Sequence, residues 1–255
     1  MLIDTHCHLT YDIDSDAGVD TVIARAKNAG VDVIICPTAD PIDVPGAIKL
    51  SEKYNNVFAT IGIHPEHAGC TAADYITDEI LNHPRVLGVG EIGLDYHGDD
   101  VPARDAQIKL FVEQLEMAYG HNLPVAIHTR DAEDDTAAIL ADFPEIGGVM
   151  HCFTSGWALA KKMLDRGFFF SASGIITFKN AGDIRDTFAK IPVDRIVVET
   201  DSPYCAPVPY RGRVCEPAFV VETARVVAQI KNIPFEKFCD IVVVNTKKLY
   251  PKIKI

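Results

Sequence analysis

The sequence predicts a single (β/α)8 TIM barrel formed by residues 1–255. Short apolar, β-branched runs alternate with amphipathic stretches from one end of the chain to the other, which is the rhythm of parallel βαβ units. Eight such runs are present, the strand count of the barrel. Six side chains able to bind metal, His6, His8, Glu91, His128, His151 and Asp201, fall at the ends of these runs, far apart in sequence. A parallel barrel gathers strand ends into one mouth.

The predicted strands are residues 2–6, 32–36, 57–63, 86–91, 124–128, 148–151, 168–172 and 195–200. Each holds a short run such as Val33-Ile34-Ile35 or Ile196-Val197-Val198 that is too brief for a helix. Between the runs, Val19-Val22-Ile23-Ala26 and Ile108-Phe111-Val112-Leu115 repeat apolar residues at three- and four-residue spacing, which predicts helices packed on a sheet. A doubly wound open sheet shares this alternation. It is disfavoured because His-x-His, rather than a glycine-rich phosphate loop, follows the first run, and because the donors come from runs one, four, five, six and eight. The proline-rich segment Ser202–Pro209 reads as a stiff loop over the barrel mouth.

A formal charge of −12, from 36 acidic and 24 basic residues, disfavours a long-range grip on nucleic acid. Phosphate recognition must then be local, and bound divalent cations would supply it by reversing the field at the site. The chain opens in a strand-like pattern without a basic leader, and no apolar run reaches the ~18 residues of a membrane span. This predicts a cytoplasmic protein with no membrane attachment and no obligate protein partner. Seven cysteines without a CxxC pair fit reduced thiols. Cys7 and Cys152 each adjoin a metal donor, and strand alternation predicts that both point away from it as packing residues.

In Ile3-Asp4-Thr5-His6-Cys7-His8 the two histidines are spaced by two, so an extended strand sends both imidazoles to one face and one ion. Imidazoles and carboxylates suit Zn²⁺, Mn²⁺ or Fe²⁺. An all-oxygen Mg²⁺ shell would not need four histidines, although Mg²⁺ stays among the candidate identities. Six donors exceed what one catalytic ion takes while keeping a position open, which implies two divalent cations and a bridging carboxylate. Glu91, near the middle of the strand order, is the natural bridge, and its flanking glycines allow close approach of other groups. Taken singly, each histidine also fits a hydrogen-bonded core or loop residue, and Asp201 before Ser202-Pro203 also fits a turn.

The strings Ile3-Asp4-Thr5-His6-Cys7-His8, Gly62-Ile63-His64-Pro65, Gly90-Glu91-Ile92-Gly93-Leu94-Asp95-Tyr96, Ala126-Ile127-His128-Thr129-Arg130-Asp131, His151-Cys152-Phe153 and Glu199-Thr200-Asp201-Ser202-Pro203 resemble the signatures of the TatD-type metal-dependent deoxyribonucleases. These are amidohydrolase-like TIM-barrel hydrolases. The resemblance runs over nearly the whole chain. It implies a binuclear centre with His6, His8 and Asp201 on one ion, His128 and His151 on the other and Glu91 between them, and it implies that Asp201 also accepts the proton of the attacking water. The expected activity is hydrolysis of phosphodiester bonds in DNA by metal-activated water. The alternative is ester or amide hydrolysis, as in a D-aminoacyl-tRNA deacylase, because the same activated water attacks carbonyls.

Substrate contacts are expected from His64, which the resemblance favours for a phosphate or leaving oxygen, and from Arg130, Arg211 and Arg213, whose guanidinium groups match phosphate. His67 fits the same role or a solvated loop. Glu199 shares strand parity with Asp201, which suits a supporting carboxylate or a structural ion pair. Trp157 suits helix packing, though its ring could stack on a base. Relatives commonly carry a basic residue and Asn before the Glu-Pro after the last strand, where this chain has Arg213-Val214-Cys215-Glu216-Pro217. That departure is expected to alter substrate contacts of the loop while sparing metal binding.

Overall fold

Alternation of side chains along each strand generates two apolar layers, and these define the architecture. The computed structural model describes residues 1–11 and 18–254. Its strands are β1 (Leu2–Asp4), β2 (Val31–Pro37), β3 (Val57–Thr60), β4 (Val86–Asp95), β5 (Val125–Arg130), β6 (Gly148–Met150), β7 (Phe169–Ala172) and β8 (Ile196–Val198). They form one eight-stranded parallel sheet in the order β1 to β8. The first and last strands meet through Thr5 N donating to Val198 O (3.1 Å), Asp201 N to His6 O (2.9 Å) and His8 N to Ser202 O (2.9 Å). The buried Asp4 carboxylate ties the same seam by accepting from Thr200 N (2.9 Å) and Thr200 Oγ1 (2.6 Å). The chain is a TIM barrel, as the alternating runs predict.

Ile3, Val33, Phe58, Leu87, Ala126, Val149, Phe169 and Val197, one from each strand, pack together inside the barrel. The neighbouring residues on the other face, such as Ile34, Cys36, Ile127 and Phe170, pack outward against the helices. Each fully buried aliphatic side chain contributes roughly 1.5–3 kcal/mol relative to exposure. Helices α1 (Gly18–Asn28), α2 (Val44–Lys53), α3 (Asp78–Leu81), α4 (Arg104–Gly120), α5 (Glu133–Ala141), α6 (Trp157–Asp165), α7 (Gly182–Lys190), α8 (Val220–Ile230) and α9 (Phe235–Leu249) surround the strands. The β3–β4 crossover carries only single turns and the four-residue α3, because prolines and glycines interrupt it. Helix α9 is an addition to the eight-unit repeat. Its Val243 and Leu249, with Tyr250 and Ile253 after it, join the interior layer, and Asn245 Nδ2 donates to Val193 O and Ile196 O, both at 2.8 Å. Among the described residues no helix is long and apolar enough to cross a membrane.

Strand parity carries the interior layer upward into the site. His128, His151 and Glu199 each lie two residues beyond the inward-facing Ala126, Val149 and Val197. Strand β4 runs four residues past its predicted end. Its register shifts between Val89 and Ile92, and Glu91 N turns to donate to Thr38 O (2.9 Å). Glycines make this possible. A Cβ at Gly90 would lie 2.6 Å from the Ala126 Cβ, and Gly93, at φ 145°, sits against the His128 carbonyl oxygen. Gly93→Ala is therefore expected to destabilise the fold by more than about 2 kcal/mol, through both the φ penalty and displacement of β5. Urea unfolding measures this, and an unchanged midpoint would contradict it.

Candidate metal centre

Glu91 lies almost wholly buried on the barrel axis, and its two oxygens face different imidazoles. Oε2 is 3.2 Å from His6 Nε2 and 3.7 Å from His8 Nε2. Oε1 is 2.8 Å from His128 Nδ1 and 3.2 Å from His151 Nε2. Asp201 Oδ1 approaches His8 Nε2 at 3.7 Å and His6 Nε2 at 3.9 Å, and stands 4.0 Å from His151 Nε2. Among the possible donor groupings, His6–His8–Asp201 and Glu91–His128–His151 divide the six side chains between them. The structure brings together all six side chains named from sequence.

The chemistry of these donors fits cations. His6 Nε2 and His8 Nε2 approach to 3.3 Å, about the donor-to-donor edge of a tetrahedral ion with nitrogen ligands at ~2.0–2.1 Å. Two ring nitrogens and two carboxylates converge there, and buried carboxylates need positive charge close by. A divalent ion supplies that charge.

The protein groups polarise one another strongly. Burial alone would raise Glu91, but the His151 charge and hydrogen bonds from His128, His151 and His6 outweigh it and hold the carboxylate well below its ordinary range. Burial pulls His128 down, yet contacts with Asp95 and Glu91 prevail and push it up to about 9. His151 is raised in the same way, its burial overcome by Glu199 and Glu91. His6 is lowered by burial and by the His151 charge. Asp201 is lowered because contacts with His8, His151 and His6 overcome its burial.

The outer nitrogens of the second cluster are held by carboxylates. His128 Nε2 donates to Asp95 Oδ2 at 3.0 Å, and His151 Nδ1 lies 2.8 Å from Glu199 Oε1. Such partners fix which nitrogen keeps its proton and which faces a metal. Glu199 also accepts from Cys152 N at 2.7 Å. Asp95 carries no role in the sequence reading, because that reading ends the strand at Glu91. Helix α4 positions it. Gln107 and Gln114 lie seven residues apart on the buried face of the helix. Gln107 accepts from Asp95 N (2.8 Å) and donates to Asp95 O (2.7 Å), while Gln114 accepts from Ile63 N (2.7 Å) and donates to Ile63 O (3.0 Å), beside His64. Buried glutamines at i and i+7 were the available signal. Asp95→Asn should weaken occupancy of the His128–His151 side by about 10–100-fold when the proteins are compared at about pH 10, where His128 is largely neutral with or without Asp95. Metal titration reads this, and equal affinity in the variant would remove the positioning role.

The centre opens into a cleft of about 550 Å³ lined by His8, His64, Arg130 and Tyr204 among others. His64 Nδ1 accepts from Glu66 N at 3.2 Å, so its proton resides on Nε2, which points inward 3.7 Å from Glu91 Oε1. Burial, reinforced by the His128 charge, pushes His64 down to about 3 and keeps it neutral. Arg130 is exposed at the cleft. Arg211 and Arg213 are not among its lining residues. Arg211 stacks on Phe178 with its guanidinium carbon 3.8 Å from the ring centroid and donates to Ala206 O (3.1 Å), and Arg213 lies over Tyr210. His67 stands by Glu66 and Asp40 rather than in the cleft. Trp157 opens α6 and packs against the core, with Lys190 over its ring.

Two rim residues went unnoticed in the sequence. Tyr11 stacks on His8 with ring centroids 4.8 Å apart, and the exposed Tyr204 meets it edge-on at 6.4 Å. Cys7 is buried as expected, but Cys152 lines the cleft. Strand alternation no longer governs it, because β6 ends at Met150 and Cys152 has φ 40°. In the Val214–Cys215 stretch Val214 is exposed, but Cys215 differs from expectation. Cys215 is completely buried, and its N donates to Pro203 O at 3.0 Å. Burial pushes its thiol up to about 12. This residue props the loop after β8 from beneath and offers nothing to a substrate.

A family model described as TatD related DNase matches residues 3–251. YabD of Bacillus subtilis, an uncharacterized metal-dependent hydrolase, is 37% identical over 254 residues, covering 98% of this chain and 99% of its own length. YcfH of Escherichia coli K12, described in the same words, is 37% identical over 256 residues, covering 98% of this chain and 95% of its own. The crystal structure of YjjV, a TatD homologue from Escherichia coli K12, superposes with a TM-score of 0.87 at 29% identity and covers 98% of both chains. With its donors gathered at the mouth of this barrel, the chain belongs to the TatD family of metal-dependent hydrolases.

Proposed function

We propose that this protein is a deoxyribonuclease that hydrolyses phosphodiester bonds with two divalent cations held in the cleft. The observation that carries the reading is the division of Glu91 between two donor clusters, Oε2 toward His6 and His8 and Oε1 toward His128 and His151. His6, His8 and Asp201 would hold one cation, His128 and His151 the other, and Glu91 would serve both. Imidazole-rich donors favour zinc, manganese or iron over magnesium. When bound, such ions activate water at neutral pH and stabilise charge on the attacking and leaving oxygens of a phosphodiester.

The chain's own residues complete the chemistry. Asp201 is ionised, and its Oδ2 faces the cleft side where Cys205 Sγ donates to it; it accepts the proton of the attacking water there. His64, neutral with its proton on Nε2, donates a hydrogen bond to a phosphoryl oxygen. It is a poor general acid, because a neutral imidazole releases its proton reluctantly. Arg130 orients phosphate from the rim. Tyr11 and Tyr204 present ring faces of the kind on which bases stack, each such contact being worth about 1–3 kcal/mol. With a net charge of −12 spread over the molecule, this local set of groups is where affinity for a polyanion resides.

The test is paired. Protein stripped by chelator and then reloaded is offered a DNA oligonucleotide and a D-aminoacyl-tRNA. The reading expects DNA hydrolysis that is lost on stripping and restored by metal. Turnover of the aminoacyl ester alone would replace it with the deacylase, and full DNA turnover by stripped protein would overturn the metal-dependent mechanism.

A further inference from the structure

The cleft contains a pair of thiols that hydrolysis does not use. Cys152 follows His151 after β6, and Cys205 lies four residues beyond Asp201 in the loop after β8. Both line the cleft, and both have positive φ, 40° and 55°. Cys152 Sγ donates to Ser173 Oγ at 3.0 Å and Cys205 Sγ to Asp201 Oδ2 at 3.4 Å. Cys152 Sγ, a His151 nitrogen and an Asp201 oxygen all lie within 4.8 Å of one another. Both sulfurs therefore stand beside the Asp201 carboxylate, in the same cleft. The other five cysteines are placed differently: Cys7, Cys36, Cys215 and Cys239 are buried, and Cys70 donates to His67 O.

We propose that Cys152 and Cys205 are a redox modification site, closed to a reversible disulfide by a peroxide, which joins the loops after β6 and β8 and shuts down the metal centre. One thiol sulfur attacks the peroxide; the O–O bond breaks, the sulfur becomes a sulfenic acid, and one water leaves. The second thiol attacks that sulfur, the S–O bond breaks, and a second water leaves. Two thiols are oxidised by two electrons, and one hydrogen peroxide is reduced to two waters.

Disulfide formation reaches the ligands by short connections. Cys205 Sγ must give up its bond to Asp201 Oδ2. The Cys152 backbone, drawn toward the new bond, carries the N–H held by Glu199, which in turn supports His151. One ligand of each cluster is disturbed together. Disturbing partners of this kind costs about 10–100-fold in metal affinity or activity. The loss of function rests on Asp201 and His151 acting as metal ligands, whereas formation of the disulfide does not.

The experiment treats metal-loaded protein with hydrogen peroxide and follows three readouts: non-reducing peptide mapping, retained metal and phosphodiester turnover. The expected result is a cross-linked peptide pair containing Cys152 and Cys205, with about a tenfold or larger fall in turnover or metal affinity that dithiothreitol reverses. Cys152→Ser and Cys205→Ser should each lose the cross-link and the peroxide response measured against their own untreated activity, while Cys70→Ser keeps both. Absence of the cross-linked pair, or its formation with metal and turnover unchanged, overturns the proposal. Because peptide mapping needs no substrate, a cross-link with retained-metal loss in a protein inactive on DNA would sustain this site and reject only the nuclease reading.

Discussion

Glu91→Gln should abolish turnover and strip the centre of metal, whereas His64→Ala should lower turnover with metal content intact. The amide of glutamine keeps one oxygen that can ligate, but its NH₂ group cannot, so one of the two clusters faces a hydrogen-bond donor where it had an anionic ligand. The carboxylate charge that opposes His128 and His151 disappears as well. A turnover loss on the order of a thousandfold or more, about 4 kcal/mol, is expected together with a clear fall in bound metal by elemental analysis. His64 approaches Glu91 no closer than 3.7 Å, and its Nδ1 is occupied by Glu66 N. Its removal therefore takes away a substrate contact. Equal metal loss in the two variants would show that the division between bridge and substrate residue is wrong.

Much of this centre was legible because a strand's period of two carries information about direction. His128 and His151 could be placed inside the barrel from their parity with Ala126 and Val149 alone, and a β-branched run ending in a histidine is a visible pattern. That legibility stops where the ladder stops. Asp95 stayed hidden because β4 continues through a register shift that periodicity does not encode. Cys152 turned the opposite way from its expected parity one residue after His151, once φ became positive. The three arginines look alike in sequence, and only packing separates them: Arg130 is free to face the cleft, while Arg211 is committed to Phe178 and the Ala206 carbonyl. Cys215 stands at a loop position that composition would place in solvent, but the backbone bond to Pro203 turns it inward. Helix α9 shows the same limit at larger scale, since its amphipathic pattern cannot reveal that its far end closes the barrel floor.

Metal uptake by chelator-treated protein should release protons and strengthen steeply between pH 7 and pH 9. The sign follows from His128. Its pKa is pushed up to about 9 by Asp95 and Glu91 against the effect of burial, so below that pH both ring nitrogens carry protons. A metal ligand must present a bare nitrogen, so an ion entering at pH 7 has to displace a proton held about two pH units more tightly than the solution requires. His128 alone then lowers the apparent affinity at pH 7 about fiftyfold relative to pH 9. His151 is raised by Glu199 and Glu91 and acts in the same direction. His6 and His64, both lowered, are already neutral and contribute no proton. The Asp95 and Glu199 contacts therefore have two effects: they orient the second cluster, and in the absence of metal they favour the imidazolium that the metal must discharge. Calorimetric titration at pH 7 in buffers of different ionisation enthalpy should count between one and two protons released per fully loaded protein, and Asp95→Asn, which lacks the anion that raises His128, should release fewer. Binding that is independent of pH from 7 to 9, with no proton released, would mean that His128 enters the centre neutral and that its carboxylate neighbours do not set its charge.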